Sequence, residues 1–250
     1  MKSRILIASA MAVLALAGCK KSSSGGNAST ATAEKVTITQ ANPPPGGDWT
    51  DVVNATAAGY MMGNPNAKVK LVEVGALTCP HCREFEEKGA PILEEKYVKS
   101  GQVSWEFRTY LLHGLDLPAA LIATCNGAQS FFPLSKALYR DQEVWLGKVM
   151  AVPQAQLEQV QNLPPNQQFL ALAKLAGLQD WAAARGVPVA KSGQCLTDQN
   201  KINQLVQNTS DVNSQYPDFV GTPSFIINGT LLKDTATWDK LEPQLQAALK

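Results

Sequence analysis

Two stretches of the chain carry the apolar pattern of strands, and most of the remainder carries that of helices. Val69-Lys70-Leu71-Val72-Glu73-Val74-Gly75 is apolar and β-branched, and residues 102–112 place Val103, Trp105, Phe107, Thr109 and Leu111 on one face; both stretches predict strands. Between them Phe85, Gly89, Ile92, Leu93 and Tyr97 recur at helical spacing over 81–99. A kink is expected at Gly89-Ala90-Pro91, because proline removes a backbone hydrogen bond and crowds the preceding turn. From Asp116 to about Tyr216 strand signals vanish and Leu, Ala and Gln dominate. Breaks at Gly127, Pro133, Gly147, Pro164-Pro165, Gly177 and Gly186-Val187-Pro188 divide this region into several short helices. A longer helix is expected over 198–216, with Ile202, Leu205, Val206, Thr209 and Val212 on one side. Residues 223–232 hold two short apolar runs joined by Asn228-Gly229, a dipeptide suited to tight hairpins because both turn positions need positive φ. Trp238, Leu241, Leu245, Ala248 and Leu249 close the chain on an amphipathic helix. The order is therefore βαβ, a helical block, then ββα.

Composition narrows the function classes. The 250 residues are 45% apolar, enough to bury a substantial core. Lys and Arg number 22 against 21 Asp and Glu, and no basic tract interleaves with aromatics, which argues against a nucleic-acid binder. At the N-terminus Lys2 and Arg4 precede an apolar run from Ile5 to Ala17, too short for an ordinary membrane span and suited to a secretory signal. Leu16-Ala17-Gly18-Cys19 resembles the lipobox of bacterial lipoproteins, which implies a signal peptide over 1–18 and lipidation of Cys19; cleavage after Ala17 is the alternative reading. Residues 19–58 are polar and small, then Pro-rich at 43–45, and are expected to form a tether.

The chemistry centres on Cys79-Pro80-His81-Cys82. Haem attachment needs a histidine directly after the second cysteine, where Arg83 stands. Zinc needs four ligands, and His81, His113, Cys125 and Cys195 recur at no metal-binding spacing, so no metal is expected at the pair. An inert structural bridge is a further alternative, disfavoured because so small a ring at a helix start is strained. Redox chemistry fits best. Cys79 falls where a strand ends and a helix begins, so its sulfur should face unpaired N–H groups and the positive end of the helix dipole. Pro80 costs nothing in the first helical turn, and His81 is expected to bring a donor or positive charge near the sulfur. Thiols so placed have pKa values of roughly 3.5–7.5. Met61-Met62 could be soft metal ligands but are read as core and active-site lining; His113 is read as a boundary residue, and Phe131-Phe132 as core.

Cys79-Pro80-His81-Cys82, Glu73 ahead of it, Phe85-Glu86 behind it and Gly221-Thr222-Pro223 before the hairpin together resemble the DsbA-like thiol-disulfide oxidoreductases. The resemblance spans about 59–250 and implies an α/β thioredoxin fold, βαβ…ββα, interrupted by an all-helical insertion. The thioredoxin-like part is then 59–115 and 205–250, and the insertion 116–204. It implies that Cys79 is the exposed sulfur attacked by substrate and Cys82 its buried partner. It further implies that Pro223 is a cis-proline beside the disulfide, that the Thr222 backbone pairs with substrate, and that Glu73 is a buried acid moving protons. The implied function is an envelope enzyme, periplasm-facing and lipid-anchored, that oxidises cysteine-containing exported proteins. It needs no cofactor, and a quinone-linked DsbB-type membrane oxidant would reoxidise it. Threonine before the proline is shared with isomerases, but the tether has no room for their dimerisation module, so a monomeric oxidase is expected. An isomerase or reductase kept reduced by a membrane donor, and a metal-carrying or assembly lipoprotein using Cys79, Cys82 and Met61-Met62, are the rivals. With Cys19 lipidated and Cys79–Cys82 paired, Cys125 and Cys195 are left as partners for each other in an oxidising compartment.

Overall fold

A computed structural model describes residues 38–45 and 47–250; the expected signal peptide, Cys19 and the first part of the tether lie outside the described residues. Six strands form one sheet in the order β1-β2-β4-β3-β5-β6. At its centre are β3 (Val69–Gly75) and β4 (Val103–Thr109), which run parallel with Leu71 opposite Trp105. Because α1 (Pro80–Lys88) crosses between them, this is the βαβ unit that the alternation predicts. On the other side of β3, β5 (Ser224–Ile227) runs antiparallel, followed by β6 (Thr230–Leu231). The turn between them has Asn228 at φ 49° and Gly229 at φ 87°, the left-handed pair expected of Asn-Gly.

Two strands escaped the pattern. β1 (Val53–Ala55) and β2 (Tyr60–Met62) form a hairpin that pairs antiparallel onto β4, with Met62 opposite Trp105. Each has three residues, too few for alternation to register. The tether boundary at 58 is thereby corrected: Trp49–Asp51 form a 3₁₀ turn, β1 is already in the sheet, and Ala41 N donates to Ser100 O at 2.8 Å. Gly59 is required because a Cβ there would collide with the Phe107 carbonyl.

The helix expected over 81–99 is broken in three. α1 ends at Gly89, α2 (Ala90–Ile92) carries Pro91 in its first turn, and Leu93–Val98 completes a π-helical turn. The block that follows contains α3 (Asp116–Ala123), α4 (Ala128–Arg140), α5 (Gln142–Met150), α6 (Gln154–Gln161), α7 (Pro165–Leu175), α8 (Leu178–Ala183) and α9 (Val189–Leu196). Cys125 and Cys195 form a disulfide with Cα atoms 5.7 Å apart, tying the end of α3 to α9. Next comes α10 (Gln199–Gln215), N-capped by Asp198, whose Oδ1 accepts from Asn200 N at 3.0 Å. It runs unbroken across the expected boundary between 204 and 205, which therefore cannot divide the insertion from the thioredoxin part. Its buried side holds Ile202, Leu205 and Val212, whereas Val206 is exposed, contrary to the expected face. α11 (Trp238–Leu249) closes the chain.

The sheet separates two cores. Leu71, Trp105, Phe107, Phe225 and Ile227 pack with Phe85, Phe131, Phe132, Leu241 and Leu245 on one side; Val72, Val74 and Ile226 meet Val212 on the other. Both Phe131 and Phe132 are fully buried, and Trp105 and Phe132 lie with ring centroids 5.0 Å apart. This packing fixes the end of β3, and with it the start of α1.

Candidate active site

The chain leaves β3 at Gly75, turns through Ala76–Cys79, and enters α1 at Pro80. Cys79 is the N-cap residue (φ −78°, ψ 123°), its N–H bonded to the Ala76 carbonyl at 3.0 Å, and Pro80 occupies the first turn, where its missing N–H costs nothing. Cys79 and Cys82 are both thiols and both buried. The expectation that Cys79 is exposed is corrected: it is 3% exposed. The loop before β5 lies against it: the Thr222–Pro223 bond is cis, and the Thr222 carbonyl accepts from the Cys79 thiol at 3.2 Å.

The two thiols differ sharply in acidity. The Cys79 pKa is lowered to about 5, first by a hydrogen bond from Cys82, then by the Thr222 side chain and by the N–H groups of Cys82 and His81, with burial opposing. The Thr222 hydroxyl is buried without a partner among the described residues, free to serve a thiolate. Helix N–H groups thus contribute as the sequence suggests, but the Cys82 thiol leads. Burial pushes Cys82 well above its ordinary value, with Cys79 and Glu73 adding to the effect. His81 contributes through its backbone; its imidazole turns outward, Nδ1 lying 3.9 Å from Glu84, which corrects the expected side-chain contact with the sulfur.

Glu73 is 1% exposed on β3, and its Oε2 accepts from Trp105 Nε1 at 3.1 Å. Burial, with Glu86 and Cys79 nearby, raises its pKa well above the carboxylate range, and it in turn raises that of Cys82. Glu86 is pushed up to about 8, by desolvation first, with Lys136 opposing and Glu94 adding. Its sequence position gave no sign of this, since the burial that leads the shift is set by tertiary packing and not by the local sequence. Met62 is core on β2, and His113 is exposed with its N–H donating to Asp116 Oδ2 at 2.7 Å.

A thioredoxin family model matches residues 55–247. The crystal structure of a protein-disulfide isomerase from Novosphingobium aromaticivorans superposes with a TM-score of 0.72 at 34% identity, covering 76% of this chain and 96% of that one. The chain belongs to the DsbA-like thiol-disulfide oxidoreductases, within the thioredoxin family. This DsbA-like chain is 29% identical over 170 residues to a putative protein-disulfide oxidoreductase of Rickettsia felis, covering 68% of this chain and 52% of the relative. It spans about half the length of the Rickettsia relatives it matches. Disulfide bond formation protein D of Bacillus subtilis is 22% identical over 190 residues, covering 76% of this chain and 77% of that one. Wolbachia pipientis alpha-DsbA1 shares the fold, with a TM-score of 0.60 at 22% identity over 76% of this chain and 89% of that one.

The acidity of Cys79 has a measurable consequence in this DsbA-like fold. Its pKa is depressed on folding from an ordinary value of 9.0 to about 5. The stability this contributes is present above the unfolded value and is lost as pH falls through about 5. The disulfide form has no such thiol. Denaturant midpoints of the dithiol form should therefore gain on those of the disulfide form as pH rises from about 4 to about 8; a constant difference would contradict the assignment.

Proposed function

We propose that this protein is a thiol-disulfide oxidoreductase that donates a Cys79–Cys82 disulfide to cysteine-containing exported proteins. The observation that carries the reading is the split within one pair: a thiol at about 5 beside a buried partner held protonated. A substrate thiolate attacks the Cys79 sulfur, the bond to Cys82 breaks, and Cys82 leaves with the electron pair, taking a proton from Glu73. A second substrate thiolate then attacks the substrate sulfur of the mixed disulfide and expels Cys79 as a stable thiolate. Two electrons pass from substrate to enzyme. The backbone at Thr222, against the Cys79 sulfur, is the surface on which the substrate strand pairs, with Pro223 beside it.

Stabilising the thiolate of the reduced form makes the disulfide a stronger oxidant, about tenfold in equilibrium constant per 30 mV. This favours oxidation as the working direction. The Cys125–Cys195 bridge favours an oxidising compartment, consistent with a bacterial envelope protein held periplasm-facing by lipid on Cys19. Among the described residues no helix is long and apolar enough to cross a membrane. A DsbB-type membrane oxidant, by family analogy, would regenerate the disulfide of what we take to be a monomer. The second reading is an isomerase, favoured by the likeness to the protein-disulfide isomerase of Novosphingobium aromaticivorans.

The test is stoichiometric: oxidised protein, mixed with a reduced dithiol protein and no other oxidant, should form one substrate disulfide per Cys79–Cys82 pair. Formation of none contradicts the proposal. Glu73→Gln supplies a further check, because a carboxyl whose pKa is raised in the fold stabilises it below an ordinary value of 4.5 and loses that contribution as pH rises. The variant should raise the denaturant midpoint near neutral pH, leave it unchanged in acid, and slow departure of Cys82. A destabilised variant at neutral pH would show that the Glu73 carboxylate is a needed charge.

A further inference from the structure

Three side chains of the helical insertion converge on the backbone that carries Cys79. Tyr139 on α4 donates its hydroxyl to the Ala76 carbonyl at 3.2 Å. The peptide unit joining Leu77 and Thr78 is held at both ends: its carbonyl accepts from Gln142 Nε2 at 2.8 Å, and its N–H donates to Asp116 Oδ1 at 2.8 Å. Asp116 Oδ2 also accepts from the Thr78 hydroxyl at 2.9 Å. Gln142 Nε2 makes a second bond, to the Cys79 carbonyl at 3.1 Å. That carbonyl is the only polar handle on the peptide joining Cys79 to Pro80, since proline has no N–H.

Asp116, Tyr139 and Gln142 are each 2% exposed or less. A buried amide is costly unless bonded, and a satisfied buried network rigidifies what it touches. Gln142 opens α5, beyond the family's strand-helix-strand unit, and both of its amide hydrogens are spent on one turn.

We propose that Gln142 is a positioning residue for Cys79, its amide bridging the Leu77 and Cys79 carbonyls so that the turn aims the sulfur at the His81 and Cys82 N–H groups and at Thr222. The insertion is thus the frame that sets the redox poise of the pair, with Asp116 and Tyr139 holding the rest of the turn. Removing the Gln142 amide frees the turn to rotate, leaves the Leu77 carbonyl without its donor, and leaves the Cys79 carbonyl with the Arg83 N–H alone, at 3.2 Å. These changes disfavour the thiolate.

The inference rests on the oxidoreductase reading only for its consequence; the acidity of Cys79 can be measured whether or not the protein exchanges disulfides. Gln142→Met, close in length and without donors, should raise the Cys79 titration midpoint, followed by thiolate absorbance, by about one unit. The equilibrium with glutathione should shift about tenfold toward the protein disulfide. The titratable groups around the pair, Glu73, Cys82, Glu86, Asp116 and Tyr139, are unchanged in this variant. Gln179 provides the control: it is a buried glutamine of the same insertion whose amide bonds Val189 O at 3.3 Å and Ser192 Oγ at 3.2 Å. Gln179→Leu should lower thermal stability and leave both redox readouts in place. Should Gln142→Met not fold, Gln142→Asn, which keeps the amide but cannot span both carbonyls, takes the same readouts under the same criterion. A folded Gln142 variant with unchanged midpoint and equilibrium, or a Gln179→Leu shift as large as that at Gln142, would overturn the proposal.

Discussion

Replacing Cys79 with serine should abolish dithiol oxidation, whereas replacing Cys82 with serine should leave a protein that accumulates mixed disulfides with its substrates. The asymmetry follows from the two environments. Cys79 is the ionised partner, at about 5, and lies against the Thr222 backbone. Cys82 is fully buried and strongly disfavours ionisation. Without Cys79 no sulfur can be reached from the Thr222 side, and activity should fall to the uncatalysed background. Without Cys82 the Cys79 thiolate persists, because a serine hydroxyl can still donate to it; it attacks the disulfide of an already oxidised substrate, one substrate sulfur leaves as a thiolate, and no Cys82 thiol is present to displace the substrate that remains bound to Cys79. Non-reducing gels with mass spectrometry of the trapped species would read both variants. Equal, inert behaviour would mean that the pair is a structural bridge.

Removing the Cys125–Cys195 bridge should cost about 4 kcal/mol in the chain-entropy treatment of a loop of 70 residues. The bridge joins the end of α3 to α9, so its loss frees α4 to α8 to sample many more unfolded arrangements. Cys125→Ala with Cys195→Ala should lower the denaturant midpoint strongly, and mild reduction of the active-site pair should leave the native bridge intact. Peptide mapping without reductant should recover the Cys125–Cys195 peptide. Two free thiols in the oxidised protein, or a double variant of undiminished stability, would contradict this.

What the sequence disclosed was what repeats locally. Val69–Gly75 is long enough for its apolar run to be read, and Asn228-Gly229 states its own backbone requirement. The Cys79 to Cys82 motif is likewise local. What stayed hidden depends on residues distant in the chain. Thr222 packs on Cys79 from 143 residues away, and no local pattern encodes that. β1 and β2 are too short to alternate visibly, and only pairing with β4 makes them strands. The raised pKa of Glu86 comes from burial in the tertiary packing, and the grip of Asp116, Tyr139 and Gln142 on the turn at 76–79 comes from α3, α4 and α5 folding back onto it. His81 illustrates the opposite error: its place in the motif suggested a side-chain role, while the geometry uses its N–H.

The most direct test of the account is the redox state of Cys79 and Cys82 in intact cells. Rapid acid quenching followed by alkylation and mass spectrometry would capture it, with the Cys125–Cys195 peptide as an internal reference. A disulfide donor must be kept loaded, so Cys79 and Cys82 should be found predominantly bonded to each other. A pair found predominantly as free thiols, with Cys125–Cys195 intact, would contradict the oxidase assignment and leave the isomerase reading in its place.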